Sequence, residues 1–271
     1  MKTIINFCPT GMIPTKEINE NTPISPQEII EQTHEAYELG ISIVHLHARE
    51  ADQQPTYKKS VYATILEGIR SHCPGLILCC STSGRNFPEL EKRSEVIELY
   101  PDMCSLTLSS LNFVQSASIN SPQVIDGLLE KMIAYGVHPE LECFDLGMIN
   151  YGKYLLHKKG LKDRAYWNLI FGNIAGFQPN LAQIGAALNE IPEDHFVGLG
   201  GIGKFQLETN ALAIAAGLGV RVGLEDNTWW DRQKTKKASN IMLLQRVHQL
   251  MEVNQRTLLT SEELGIYNKK R

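Results

Sequence analysis

The stretch Ile43-Val44-His45-Leu46-His47-Ala48-Arg49 sets apolar residues between two histidines with the period of two that belongs to a β-strand. His45 and His47 therefore leave one face of that strand, while Val44 and Leu46 leave the other. Two neutral imidazoles on one face can hold one divalent metal ion and leave positions for a third ligand and a substrate. The alternative is a pair of hydrogen-bonded strand histidines with no ion between them. A third ligand stands far downstream, where the last apolar run, Val220-Arg221-Val222-Gly223-Leu224, ends in Glu225-Asp226-Asn227. His45, His47 and Glu225 are read as one metal site.

Outward from that strand, the chain alternates strand-like and helix-like segments. Strands are expected at Thr3–Cys8, Ile41–His47, Leu76–Cys80, Met103–Leu108, Glu140–Phe144, Trp167–Phe171, Phe196–Leu199 and Val220–Leu224. The helices between them carry legible start signals. Ser25-Pro26 with Glu28 forms a capping box, and Ser121-Pro122 repeats the cap-plus-proline pattern. A charged helix is expected over Pro88–Leu99, a further helix over Asn180–Asn189 and an amphipathic one over Ser239–Asn254. The run Gly198-Leu199-Gly200-Gly201-Ile202-Gly203 lacks the spacing of a dinucleotide loop and is read as a tight turn at the rim.

Eight β-α units in 271 residues point to a single (β/α)8 TIM-barrel domain with extra C-terminal helices. An open doubly wound sheet is the second choice. In a barrel, the C-terminal strand ends make the active rim, and the polar residues fall there: His45 and His47, Ser81, Ser105 and Thr107, Glu142, and Glu225 with Asp226. Strict alternation would turn Asp226 away from Glu225, but strand ends bend. If Asp226 faces the cavity near Arg221, it can act as a base toward a carbon-bound proton. Glu142 is either an active acid or a salt-bridge partner of Arg221.

Composition narrows the function classes. With 26 basic and 30 acidic residues the net charge is −4, so no general attraction to nucleic acid or to a membrane surface follows. The start of the chain reads as a first strand, and a cytosolic protein is expected. Cys8, Cys73, Cys79, Cys80, Cys104 and Cys143 form no paired knuckles and mostly sit in apolar runs, as buried reduced thiols do. The other histidines fall at the opposite rim or on helices, which argues against an amidohydrolase site.

Taken together, several motifs resemble the β-keto acid cleavage enzyme family, which includes 3-keto-5-aminohexanoate cleavage enzyme. They are Pro9-Thr10-Gly11 with Pro14-Thr15-Lys16, Pro23-Ile24-Ser25-Pro26, Val44 to Arg49, Ser81-Thr82, Leu111-Asn112-Phe113, Pro139 to Glu142 with Gly147-Met148, Gly201-Ile202-Gly203, and Arg221 to Asn227. The resemblance runs almost end to end. It implies a zinc-dependent barrel, usually a homotetramer, with the metal at His45, His47 and Glu225. The reaction it implies joins a β-keto acid and acetyl-CoA to give acetoacetate and a new acyl-CoA. Asp226 oriented by Arg221 matches the base, Glu142 an active-site acid, and Ser81 and Ser105 the substrate-holding positions. Ser83 replaces a usual glycine, Lys204 a common arginine, and Ser105 a frequent threonine. At Ile13 the enzyme for the amino-substituted keto acid carries an acid, so a substrate without positive charge is expected here. Lys234, Lys236 and Lys237 are candidates for the CoA phosphates, or else an ordinary solvated basic loop. The competing readings are a metal-dependent aldolase without CoA and a non-catalytic binding barrel whose metal is structural.

Overall fold

The computed structural model describes residues 1–161 and 163–270. Eight parallel strands close into a barrel: β1 (Ile5–Phe7), β2 (Ile43–Leu46), β3 (Ile77–Cys80), β4 (Met103–Thr107), β5 (His138–Cys143), β6 (Tyr166–Phe171), β7 (Phe196–Gly201) and β8 (Gly219–Val222). Each pairs with the next in sequence, and β8 returns to β1 through Arg221 opposite Asn6 and Val222 opposite Phe7. Closure rules out the open doubly wound sheet. Helices α1 (Pro26–Leu39), α2 (Lys59–His72), α3 (Leu90–Ser94), α4 (Pro122–Tyr135), α5 (Leu146–Lys158), α6 (Leu181–Asn189), α7 (Gln206–Ala216) and α8 (Asn240–Val253) lie between or after the strands, and a short α9 (Ser261–Leu264) follows.

Alternation along each strand sorts the side chains into two cores. Outward residues such as Phe7, Val44, Leu46, Leu78 and Leu106 join the large apolar cluster under the helices. Inward residues at the N-terminal end, Ile4, Ile43, Ile77, Met103 and Tyr166, form a smaller cluster inside the barrel. Leu264 and Ile266 of the C-terminal segment pack into that smaller cluster and seal this end. Backbone pairing of Lys2–Thr3 with Thr257–Leu258 holds the segment in place.

The start signals act as read. Ser25 accepts from the Glu28 amide, while Glu28 accepts from the Ser25 amide, and Ser121 accepts from Val124. The segment expected to be one charged helix is a single α-turn followed by a 3-10 stretch, Glu95–Leu99. The glycine run also departs from expectation. Gly198, Gly200 and Gly201 continue β7 rather than turning at the rim. A side chain at Gly198 would collide with the Tyr166 hydroxyl, and one at Gly200 would press on the Arg221 side chain. Those glycines leave room inside the barrel for two large polar neighbours. All six cysteines are buried and unpaired. No helix among the described residues is long and apolar enough to cross a membrane.

Candidate active site

Most of the side chains singled out at the strand ends, His47, Ser81, Thr107, Glu142, Glu225 and Asp226, line a cavity of about 720 Å3 at the C-terminal mouth. His45 ends β2 one residue before its last position, and His47 lies just past it. Their Nε2 atoms are 3.3 Å apart, and His47 Nε2 is 3.2 Å from Glu225 Oε1. One donor atom from each of the three lies within 4.8 Å of the others. The second oxygen of Glu225 is buried and has no hydrogen-bond partner. A set of two imidazole nitrogens and a carboxylate facing one point suits zinc and its neighbours, so these residues fit the metal that the resemblance implies.

Residues 45 and 225 meet because of what happens after β8. The strand stops at Val222, and Gly223 takes a φ of 152° with its backbone pressed so close to Cys8 that no Cβ would fit. The Glu225 amide then bonds to the Cys8 carbonyl, while the Asp226 and Asn227 amides turn back on the Gly223 carbonyl. This turn cancels strand alternation. Adjacent acids therefore both reach Arg221, whose Nη2 is 2.6 Å from Glu225 Oε1 and whose Nε donates to Asp226 Oδ2 at 2.8 Å. Arg221 Nη1 lies 3.7 Å from Glu142 and has no hydrogen-bond partner of its own.

The acids differ in their affinity for a proton. Burial would raise Glu225, but Arg221 and both histidines outweigh it and hold this carboxyl well below its usual range. Asp226 is displaced the other way: burial lifts it, the charge on Glu225 adds to the lift, and Arg221 only partly opposes them. Burial and the nearby charge on Glu140 likewise raise Glu142, whose Oε2 accepts from the Thr107 hydroxyl at 2.8 Å. One carboxylate is thus a persistent anion, and its neighbour is a better proton acceptor than a free aspartate.

Directly beneath His45 and His47 lies a residue that the sequence reading passed over. Glu140 is fully buried on β5 and accepts from Asn6 Nδ2 at 2.7 Å, Asn168 Nδ2 at 3.0 Å and Cys79 Sγ at 3.2 Å. Its other contact is His45 Nδ1, at 2.7 Å. Burial disfavours charge on both partners, yet their mutual attraction prevails, raising His45 to about 9 and lowering Glu140 to about 2. The Glu140 carboxylate holds a hydrogen on His45 Nδ1, so Nε2, which faces the mouth, is the nitrogen that would give up its proton to a metal, the arrangement that orients a metal-binding histidine. His45, Cys79 and Glu140 also come within metal-ligand reach of one another, but the contacts to Glu140 there are those of hydrogen-bond donors. The signal was available in the alternation Pro139-Glu140-Leu141-Glu142, which turns both acids inward.

The remaining candidates separate by depth. Ser81, Ser83, Ile13 and Glu142 line the cavity, and Ile13 sits exposed at its lip. Ser105 does not line it. Its hydroxyl accepts from the Thr82 amide at 3.1 Å and its carbonyl accepts from the Thr82 hydroxyl, so it braces the loop that presents Ser81 and Ser83. Of the three loop lysines, Lys234 faces the cavity. Lys237 lies over the Trp229 ring, with its ammonium 3.8 Å from the centroid, and Lys236 lies near Trp230. Lys204 is an exposed lining residue. Arg85, not considered from sequence, also lines the wall.

Comparison with known proteins bears on the family and the fold. A family model described as beta-keto acid cleavage enzyme matches residues 2–265. A 3-oxoadipate:acetyl-CoA acetyltransferase of Cupriavidus necator is 36% identical over 261 residues, covering 95% of this chain and 91% of that one. A 3-keto-5-aminohexanoate cleavage enzyme of Fusobacterium nucleatum is 33% identical, covering 97% and 96%. Among solved structures, a ternary complex of ObcA with a C4-CoA adduct and oxalate superposes with a TM-score of 0.76 at 19% identity. It covers 90% of this chain, and this chain spans only 66% of it, so that likeness speaks for the fold alone. A match over nearly the whole length, with relatives above 30% identity, settles membership: the chain belongs to the beta-keto acid cleavage enzyme family, whose members break a carbon–carbon bond by acyl transfer.

Proposed function

We propose that the protein is a zinc-dependent enzyme that converts a β-keto acid and acetyl-CoA into acetoacetate and a new acyl-CoA. The observation that carries this reading is the pairing at the end of β8: Glu225 aimed at the two histidines, and Asp226, with its raised proton affinity, held by the same Arg221. Zinc bound by His45, His47 and Glu225 would supply Lewis-acid stabilisation of the enolate oxygen.

The chain's own groups supply the rest. Asp226 takes the proton from the carbon between the ketone and the carboxylate, and Arg221 keeps its carboxylate pointed at that carbon. The resulting carbanion attacks the acetyl carbonyl, and the CoA thiolate leaves. That thiolate then adds to the original ketone carbon, the bond between this carbon and the former carbanion breaks, and acyl-CoA departs. Asp226 returns its proton to the acetoacetate carbanion. Ser81 and Ser83 offer hydroxyls to the substrate carboxylate, and Glu142, kept protonated more readily than a free glutamate, donates toward a developing oxyanion. Ile13 puts an apolar side chain at the lip, which supports a substrate without positive charge.

The test is acetoacetate formation from a panel of β-keto acids with acetyl-CoA, using protein stripped with a chelator and then reloaded with zinc. Turnover that needs both zinc and acetyl-CoA is expected. Cleavage without acetyl-CoA would replace this reading with a metal-dependent aldolase, and absence of turnover across the panel would leave a binding barrel.

A further inference from the structure

The cations around the cavity are not equivalent. Arg221 is neutralised by Glu225, Asp226 and Glu142. Arg232 is ion-paired with Glu208, and Arg246 donates to the Trp230 carbonyl while lying over that ring. Lys204 and Lys234 are exposed at the lip. Arg85 stands apart. It is half-buried in the cavity wall, its guanidinium is stacked 3.7 Å above the centre of Phe113, and it forms no ion pair among the described residues. Its Nε is buried without any hydrogen-bond partner.

A half-buried guanidinium with an unsatisfied N–H is costly unless something anionic meets it. Stacking on Phe113 holds its plane, so its donors are positioned in advance for a planar carboxylate. Arg85 lines the same cavity as Glu142, Glu225 and Asp226, so its charge faces the space in which those acids meet the substrate. That nearness separates the two anions a CoA-dependent site could present. The phosphates of CoA lie the whole pantetheine arm away from the reacting sulfur, and exposed lysines at the lip suit them. An anion that meets Arg85 while the metal end is engaged belongs to the keto acid. Between the two ends the wall is apolar, formed by Leu111, Phe113, Phe144 and Ile170.

Resting on the keto acid cleavage reading above, we infer that Arg85 receives a second carboxylate at the far end of the substrate, so that the preferred substrate is a β-keto diacid with an apolar methylene chain between its two anionic ends.

The experiment compares 3-oxoadipate with 3-oxohexanoate, which share six carbons and differ in the terminal carboxylate. Wild type is expected to prefer the diacid. Arg85→Gln is expected to lower kcat/KM for the diacid by roughly ten- to hundredfold. Values for the monoacid and the KM for acetyl-CoA should stay within about threefold, and Arg85→Lys should recover part of the loss. Equal use of both acids by wild type, or a rise in the acetyl-CoA KM with unchanged diacid preference, would overturn the assignment. A binding arm separates this claim from the broader one. Calorimetric titration of wild type and Arg85→Gln with adipate and hexanoate, neither of which can react, should show tighter adipate binding only in wild type. If neither keto acid turns over, the cleavage reading fails, and the titration still decides for or against the anion site.

Discussion

The two ends of the barrel solve opposite problems with the same strands. At the N-terminal end, the inward residues are Ile4, Ile43, Ile77, Met103 and Tyr166, and the C-terminal segment closes over them with Leu264 and Ile266. The backbone there is tied as well: Ser261 donates to the Ser42 carbonyl, and the Asn268 amide bonds to Asp102. Toward the C-terminal end, four residues on from Ile43, Ile77 and Met103, the inward positions carry His47, Ser81 and Thr107, joined at the mouth by Glu142 and Arg221. Three buried atoms of charged groups at this rim have no hydrogen-bond partner: Glu225 Oε2, Arg221 Nη1 and Arg85 Nε. The middle layer, centred on Glu140, is nearly saturated with hydrogen bonds. The sealed end therefore holds stability, and the open end holds charge in a form that folding alone leaves uncompensated.

The sharpest break of that contrast is Asp226→Asn. The change keeps the shape of the side chain and the approach of Arg221 but removes the proton acceptor. It should lower kcat by about 10²- to 10⁴-fold. Thermal stability should be unchanged or slightly higher, since Glu225 and Glu142 still face Arg221. Turnover measured alongside a melting curve checks it, and a fall in melting temperature that matched the loss of activity would mean that the rim contributes to stability after all.

The converse substitution is Leu264→Ala at the sealed end. Leu264 is buried among side chains of the inner cluster, and truncation should cost about 2–4 kcal/mol in denaturant unfolding. At temperatures where the variant remains folded, kcat and KM should match those of the wild type. An equal drop in kcat would show that the plug and the rim communicate through the middle layer.

How much of this was legible beforehand follows the same division. Eight strands were readable because each carries an apolar outward face and most are followed by a helix with a cap or a Gly stop, as at Ser25, Gly40 and Ser121. His45, His47 and Glu225 were readable because period-two spacing fixes the side of a strand and strand ends fix the rim. Spacing gives no information about backbone between regular elements. Whether Asp226 joins Glu225 depends on the turn at Gly223, and that turn is set by contact with Cys8, more than two hundred residues earlier in the chain. The glycines of β7 misled for a related reason: they lack side chains to make space for Tyr166 and Arg221, which no local pattern reports. Ser105 was placed on the correct strand, but its acceptance of a hydrogen bond from the Thr82 amide is a contact that spacing does not report. Arg85 follows a run of small loop residues and has no periodicity to mark it.

The smallest effect expected lies on the outside of the rim, where Glu28 closes the capping box of α1 and also meets Lys16 of the β1–α1 loop at 2.6 Å. Burial would raise this carboxyl, but Lys16 and the amides of Ile24 and Ser25 prevail and lower it to about 2. A glutamate lowered on folding stabilises the protein above its unfolded value near 4.5 and loses that contribution as the pH falls toward 2. Its side chain keeps 37% of its surface in solvent, so the ion pair is screened and Glu28→Gln should cost about 0.5–1 kcal/mol at neutral pH. The difference between wild type and variant, measured by urea unfolding from pH 7 downward, should hold to about pH 5 and vanish near pH 2. Because Lys16 belongs to the same loop as Ile13, the KM for the keto acid should rise no more than about twofold if this brace serves stability alone. A larger rise would mean that the ordered loop helps form the pocket, and would move part of the rim's outer scaffold from the stabilising side of the contrast to the functional side.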